Sequence, residues 1–350
     1  MSKISVLIVD DSAVVRQLLS RELSRVPDIE VTATAPDPYI ARDKIIRFKP
    51  DVLILDIEMP RMDGITFLEK LMKHYPLPVV IFSSLTPLGC SMALKAVEAG
   101  AVEVMHKPAL DVSFRLQDMI ESLADKLRAA AAARYRIKPR ELHLTPRAVI
   151  AGDSLLKTTD LVVAMGASTG GTEALRYIIG SLPASFPGTI VTQHMPAHFT
   201  KAFADSLNNA SELEVKEAEE GDTVQPGRVL IAPGNYHMEL RRSGARYYVS
   251  LNQDPPVCRQ RPSVEVMFRS VARYAGTNSV GVILTGMGND GAQGLMDMRN
   301  AGAVTVAQDE ASCIVYGMPG EAVKLGAAER ITALEHIPGM LVGIVRDRMP

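Results

Sequence analysis

Three short segments beyond residue 160 of this 350-residue chain carry side chains that could split an ester or amide bond. Ser168 stands in Gly166-Ala-Ser-Thr-Gly170-Gly171, between an apolar run and a helical pattern. Small residues on both sides let a chain turn sharply from strand to helix and hold the hydroxyl at a sheet edge, the logic of a nucleophile elbow. The same turn suits a phosphate cradle, because the helix that follows offers free amides to an anion. His194, in Gln193-His194-Met-Pro196, brings an imidazole to the end of the next apolar run, where a base and a capping or core histidine are equally good readings of it alone. Asp290 lies in Leu284-Thr-Gly286-Met-Gly288-Asn-Asp290-Gly291, at the end of a third. The chain order Ser, His, Asp belongs to neither the α/β-hydrolases nor the chymotrypsin or subtilisin types, but a triad is defined by geometry and role.

Rival chemistries use some of the same residues. Gly286, Gly288 and Gly291 fit G-x-G-x-x-G, and Asp309 follows about twenty residues on, as a ribose-binding acid would. Against a nucleotide, Asp290 would stand beside the pyrophosphate with no basic residue in the turn. A zinc pair of His194 and His198 is weaker, since Pro196 disrupts the helix they would share. Cys313 is a conceivable nucleophile, yet Ile314 and Val315 beside it suggest a buried, inert thiol.

The first half holds a different set. Asp10 and Asp11 follow one apolar run, Asp56 ends another, Ser83 and Ser84 end a third, and Lys107-Pro108 follows a fourth. Singly, Asp10-Asp11 reads as a helix cap and Lys107 as a solvated lysine. Jointly, three carboxylates with one cation repel one another, and a hard divalent ion on oxygen ligands, Mg²⁺ above all, relieves that repulsion. With the metal held by Asp10 and Asp11, an exposed Asp56 could attack a phosphoryl donor while Lys107 and the Ser83 hydroxyl neutralise the acyl phosphate.

A parallel α/β sheet gathers residues far apart in sequence at the carboxyl ends of its strands, along one edge. Val6–Val9, Val52–Leu55, Val79–Phe82 and Val102–Met105, with a weaker Val31–Ala35, alternate with helical patterns such as Ala13–Arg25 and Ile65–His74. A last helix is expected over 113–134, then a stretch to about 157 with two prolines and no apolar periodicity, read as a linker. The rhythm resumes with Leu161–Ala164, Thr189–Thr192, Val229–Ala232, Val280–Leu284 and Ala303–Val306. His237–Arg242 and Tyr247–Asn252, joined at Ser243-Gly-Ala, look like an antiparallel hairpin inserted in that sheet. The expectation is two doubly wound α/β domains: 1–125, then a helix end and linker over 126–157, then a mainly parallel domain over 158–350.

Composition excludes other classes. Hydrophobic residues at 47% and charged residues at 22% leave no room for a collagenous, coiled-coil or disordered chain. A net charge of −2, with acidic residues outnumbering basic ones in the second half, argues against nucleic acid as a partner. No apolar run approaches the ~18 residues of a membrane helix, and Asp10-Asp11 arrives before a signal-peptide core could form, so a cytoplasmic protein without membrane insertion is expected. Three widely spaced cysteines fit a reducing compartment.

Val-Asp-Asp-Ser, Leu-Asp56-Ile-Glu-Met-Pro-Arg-Met-Asp-Gly64, Ser-Ser and Lys107-Pro108 together resemble the receiver domain of two-component response regulators. The resemblance implies phosphorylation at Asp56, Mg²⁺ on Asp10, Asp11 and Asp56, and a switch through Ser83 and Lys107; Val104 stands where receivers often have an aromatic residue. Gly-Ala-Ser-Thr-Gly-Gly, Gln-His-Met-Pro, Ile-Ala-Pro-Gly234-Asn-Tyr-His, Thr-Gly-Met-Gly-Asn-Asp-Gly and Gln308-Asp-Glu-Ala-Ser-Cys313-Ile-Val-Tyr-Gly-Met-Pro319 resemble the catalytic domain of the chemotaxis protein-glutamate methylesterase family, CheB. That implies an enzyme whose Ser168 attacks γ-glutamyl methyl esters of methyl-accepting chemoreceptors, with His194 as base and then acid and Asp290 orienting it. It also implies glutamine deamidation by the same route, oxyanion contacts from Thr169 and Met287, no cofactor for the esterase, a chemotaxis histidine kinase as phosphodonor, and an unphosphorylated receiver that blocks the cleft. The reading from another class is a response regulator with a non-catalytic nucleotide-binding output domain built on Gly286 to Gly291.

Overall fold

The computed structural model describes residues 3–83, 86–107, 116–133 and 161–348. The chain divides into two units, residues 1–143 and 144–350. In the first, the β-branched runs form β1 (Ile4–Val9), β2 (Ile29–Ala35), β3 (Val52–Leu55), β4 (Val79–Ser83) and β5 (Glu103–His106). They pair in parallel in the order β2-β1-β3-β4-β5. Strands covered by helices on both faces need apolar residues at every position rather than alternation, and all four residues of β3 are buried.

The helices are α1 (Ala13–Leu23), α2 (Pro38–Phe48), α3 (Gly64–His74), α4 (Pro87–Glu98) and α5 (Leu116–Ala133). Ser12, Asp37, Asp63 and Thr86 cap the first four by accepting a hydrogen bond from a first-turn amide, so each strand end passes straight into a helix start. The α5 helix lies inside the expected 113–134. Residues 134–157 of the expected linker, with Ser84 and Pro108, fall outside the described residues.

The second unit holds β6 (Val162–Ala167), β7 (Thr189–Gln193), β8 (Glu214–Glu217), β9 (Thr223–Val224), β10 (Arg228–Ile231), β11 (His237–Ser243), β12 (Arg246–Asn252), β13 (Ser279–Ile283), β14 (Val304–Gln308) and β15 (Arg330–Thr332). Its helices are α6 (Gly171–Ile179), α7 (Phe199–Ala210), α8 (Val264–Tyr274), α9 (Ala292–Asn300), α10 (Met318–Lys324) and α11 (Ile337–Asp347). Seven strands form one parallel sheet in the order β15-β14-β13-β6-β7-β10-β8. From β6 the chain builds outward through β7 and β10, then crosses to build through β13, β14 and β15. The direction of building reverses at β6, and such a reversal opens a crevice at the carboxyl ends of the strands.

The hairpin departs from expectation. It does not lie in the large sheet; β11 and β12 join β9 in a separate three-stranded antiparallel sheet. Its apolar side chains, Met238, Leu240 and Val249, belong to the same buried cluster as Met267, Phe268 and Val271 of α8, and the Leu240 amide donates to Ser270 Oγ at 2.8 Å. Burial against that helix satisfies the hairpin, while β8 closes the large sheet's edge.

The α8 helix also packs on β6, where Gly166 leaves no room for a side chain: a Cβ there would come 2.2 Å from Val264 Cγ1. Gly166→Ala should destabilise the second unit by about 1–3 kcal/mol, read as a drop of a few degrees in its thermal transition, with the first unit's transition unmoved. An unchanged transition would show that α8 slides freely on β6.

Candidate active site

Parallel pairing does the first part of the assembly. Ala167 lies opposite Gln193 in the β6–β7 register, so Ser168 and His194 are the next residues out, and the His194 amide donates to Ala167 O at 3.1 Å. On the other side of β6, the Ser168 amide donates to Thr285 O at 3.0 Å, and the loop after β13 passes so close that a Cβ on Gly286 would sit 2.7 Å from Ser168 Cβ. The sharp turn falls two residues later than an elbow on the serine would put it. Gly170 is the left-handed residue, at φ 79°, while Ser168 is absent from the positive-φ positions. A helix that starts at Gly171 needs its reversal at the residue before it, and only glycine enters that conformation without strain.

His194 Nε2 donates to Asp290 Oδ2 at 2.7 Å, with both side chains buried. Three more donors converge on the carboxylate: Ser263 Oγ at 2.7 Å and the Glu265 amide at 3.0 Å on Oδ1, and the Val264 amide at 2.8 Å on Oδ2. Burial pushes the Asp290 carboxyl up, but the bonds from His194, Ser263 and Glu265 outweigh it and hold the group below its ordinary value. Asp290 is therefore a carboxylate. It fixes the proton of His194 on Nε2, leaving a buried Nδ1 with no hydrogen-bond partner among the described residues. Ser168 Oγ makes no bond to it here.

Thr169 is buried behind the serine, its carbonyl receiving Thr285 Oγ1 at 2.9 Å, and Met287 follows Gly286 beside it. The rivals come apart. The Asp309 carboxylate closes its own turn on the Ser312 amide and hydroxyl, at 2.9 and 2.7 Å. The space a nucleotide would need at Gly291 is filled by Val264, whose Cγ1 would lie 2.4 Å from a Cβ there. His198 sits exposed at the start of α7, and Cys313 is 1% exposed.

In the first unit, Asp10, Asp11 and Asp56 each bring an oxygen within 4.8 Å of the others. Such an all-oxygen set fits a hard divalent cation. Lys107 Nζ reaches Asp10 Oδ2 at 2.9 Å and Asp56 Oδ2 at 2.7 Å. Contrary to expectation, Asp56 is buried, at 1% exposure, with Lys107 against it; Asp11 is the exposed member. Burial pushes the Asp56 carboxyl up to about 6 and the Asp10 charge adds to this, against the opposing pull of Lys107. Ser83 Oγ points elsewhere, donating to Gly89 O at 3.3 Å.

Sequence comparison agrees with this layout. A family model for the CheB methylesterase matches residues 163–341, and one for the response regulator receiver domain matches residues 6–120. A protein-glutamate methylesterase/protein-glutamine glutaminase of Syntrophus aciditrophicus is 56% identical over 345 residues, covering 99% of this chain and all of that protein. One of Bdellovibrio bacteriovorus is 54% identical over 350 residues, covering 99% and 98%. The CheB methylesterase catalytic domain of Thermotoga maritima, a crystal structure, aligns with a TM-score of 0.52 at 38% identity, covering 53% of this chain and 98% of that one. The chain belongs to the CheB methylesterase family. A nucleotide-binding output domain is not supported.

Within this CheB framework, sequence reasoning passed over four polar residues. Ser263 and the buried His237 behind it serve Asp290; Gln193 Nε2 donates to Ser168 O at 2.9 Å; Gln308 Oε1 receives the Thr285 amide at 2.9 Å. Each works through a partner distant in sequence; Gln193, His237 and Gln308 stand in motifs named above, whereas Ser263 stands in none. In the receiver, removing the cation should expose the repulsion it offsets. Lys107→Met should lower the first unit's stability in EDTA by about 3 kcal/mol, and adding Asp56→Asn should restore most of that. Denaturant melts of the two variants measure it; a second substitution without effect would mean that Lys107 acts by packing alone.

Proposed function

We propose that this chain is a phosphorylation-controlled hydrolase of the cytoplasm that demethylates γ-glutamyl methyl esters and deamidates glutamines on chemoreceptors. The observation that carries it is the buried 2.7 Å bond between His194 Nε2 and Asp290 Oδ2 at the strand end next to Ser168. Ser168 Oγ attacks the ester carbonyl as its proton passes to His194 Nδ1. The tetrahedral adduct, its oxyanion received by amides of the Thr169 and Met287 segments, expels methanol, which takes that proton from His194. Water, deprotonated by the same nitrogen, then releases glutamate and free Ser168. An amide substrate follows the same steps with ammonia as leaving group. Among the described residues no helix is long and apolar enough to cross a membrane.

Ser168→Ala should reduce methanol release from methylated receptor membranes by about 10⁴-fold or more, with folding intact. Retention of a tenth of the wild-type rate would end the case for covalent serine catalysis.

Control comes from Asp56, which we read as accepting a phosphoryl group from a chemotaxis histidine kinase. Asp10, Asp11 and Asp56 would hold Mg²⁺, which supplies positive charge to the incoming phosphoryl oxygens. Lys107 already bridges Asp10 and Asp56 and stays with the product; Ser83 leaves Gly89 O to join it, and the restraint on the esterase is released. Asp56→Asn should abolish stimulation by a small phosphodonor and leave basal activity, and EDTA should do the same to the wild type. A fragment starting near residue 150 should demethylate faster than the unphosphorylated full chain; a slower fragment would make the receiver an activator instead.

A further inference from the structure

We propose that Ser263 is a positioning residue for this hydrolysis, tuning His194 through Asp290; the inference rests on the triad reading above. Ser263 caps α8, and its hydroxyl could have been spent on that helix alone, as capping serines usually are. Instead its proton goes to Asp290 Oδ1 at 2.7 Å, while the contact its oxygen accepts from the Val266 amide is long, at 3.4 Å. The Ser263 backbone is fixed in turn from behind. His237 Nδ1 accepts the Ser263 amide at 3.3 Å, and His237 Nε2 donates to Pro255 O at 3.2 Å, so one tautomer serves both bonds. Every proton in the row then has one direction: His237 to Pro255, Ser263 amide to His237, Ser263 hydroxyl to Asp290, and His194 to Asp290. The three side chains that touch or support the carboxylate, His194, Ser263 and His237, are at most 6% exposed, where hydrogen bonds polarise their neighbours strongly.

What the hydroxyl controls is how much negative charge Asp290 presents to His194. A carboxylate sharing its charge with a hydroxyl grips an imidazolium less firmly than one without it. Loss of the hydroxyl should raise the pH at which His194 gives up its proton, because its protonated form is the one stabilised. The other titratable and charged groups around the carboxylate are the exposed Cys258, the buried Glu265 and, through Glu265, Arg269. Burial and the Asp290 and Glu265 charges push the Cys258 thiol up, so it stays neutral through the working range, and burial likewise pushes Glu265 up. These groups are common to all the variants below. The Val264 and Glu265 amides remain on Asp290 when the hydroxyl is lost, so the effect should be a fraction of that of losing Asp290 itself.

The test uses Ser263→Gly in the full chain, since glycine caps a helix almost as well as serine but has no hydroxyl. With methylated receptor membranes and excess phosphodonor, kcat should fall about tenfold with KM within twofold, and the acid limb of kcat/KM should move up by about half a pH unit. Ser263→Ala should match it in both respects despite its poorer cap, and Ser263→Thr should restore both. If Ser263→Gly keeps the wild-type kcat and acid limb, Ser263 is a helix cap only and the proposal falls. If Ser263→Gly fails to fold, the Ser263→Ala and Ser263→Thr pair decides the matter by the same limb. Ser168→Ala run alongside separates the two ideas: an active Ser168→Ala would sink the triad, while an inactive one with an unshifted Ser263→Gly would sink this inference alone.

Discussion

A carboxylate that is 2% exposed stays ionised only if donors replace its water, and at Asp290 the four donors come from separate pieces of chain. One is the imidazole at the end of β7; the others are a hydroxyl and two amides at the start of α8. The positive end of that helix thus faces the charge directly, which favours an anion there. Meeting this one requirement fixes the loop after β13 against α8 and seats α8 on β6 through the Val264–Gly166 contact. It also gives the small antiparallel sheet a helix to bury its apolar face against. Stability and the orientation of His194 therefore fail together here: removing one partner of a buried charge costs about 3–5 kcal/mol, and the same carboxylate holds the imidazole.

The first unit solves a related problem with the opposite emphasis. Two of its three carboxylates, Asp10 and Asp56, share one ammonium group, and Asp56 receives one long amide bond, from Glu58 at 3.2 Å, so the cluster is under-compensated, and burial raises the Asp56 carboxyl where donors lower Asp290. Asp290 is saturated and suited to holding one geometry. Asp56 retains an unmet demand for positive charge, which suits a group whose charge is to change.

Much of this was legible in the sequence because parallel strands buried on both faces are continuous apolar runs, and such runs located the ends where Ser168, His194, Asp290, Asp10 and Asp56 sit. Less legible were β8, β9 and β15, which are short, and β8 and β15 form the edges of the large sheet, where one side faces no partner strand and polar residues are tolerated. The separate hairpin sheet was misplaced because alternation reveals a buried face without revealing what buries it. Ser263 was invisible for a similar reason. In sequence it is a serine before a helical pattern, an ordinary cap, and its bond to Asp290 spans 27 positions. The ion pair of Asp56 with Lys107, at 2.7 Å from the end of another strand, is likewise a distance that strand patterns do not give.

The nitrogen assignments in the proposed triad follow from the sheet as well. Neighbouring parallel strands lie about 4.8 Å apart, so a serine and a histidine that extend adjacent strands side by side begin with their Cβ atoms close. At that separation the ring nitrogen nearer the backbone, Nδ1, is the one suited to a seryl oxygen, and Nε2 projects onward to the third member. That member cannot come from β6 or β7, whose ends are already used. It comes from β13, on the far side of β6, and its loop must cross the end of β6 to reach the imidazole. The crossing passes directly over Ser168, where the Cβ position of Gly286 is 2.7 Å from Ser168 Cβ and 2.4 Å from Met318 Sδ. A side chain at 286 would lift the loop and carry Asp290 away from His194, so the glycine that reads as part of a nucleotide fingerprint is required by the path of the acid across the serine.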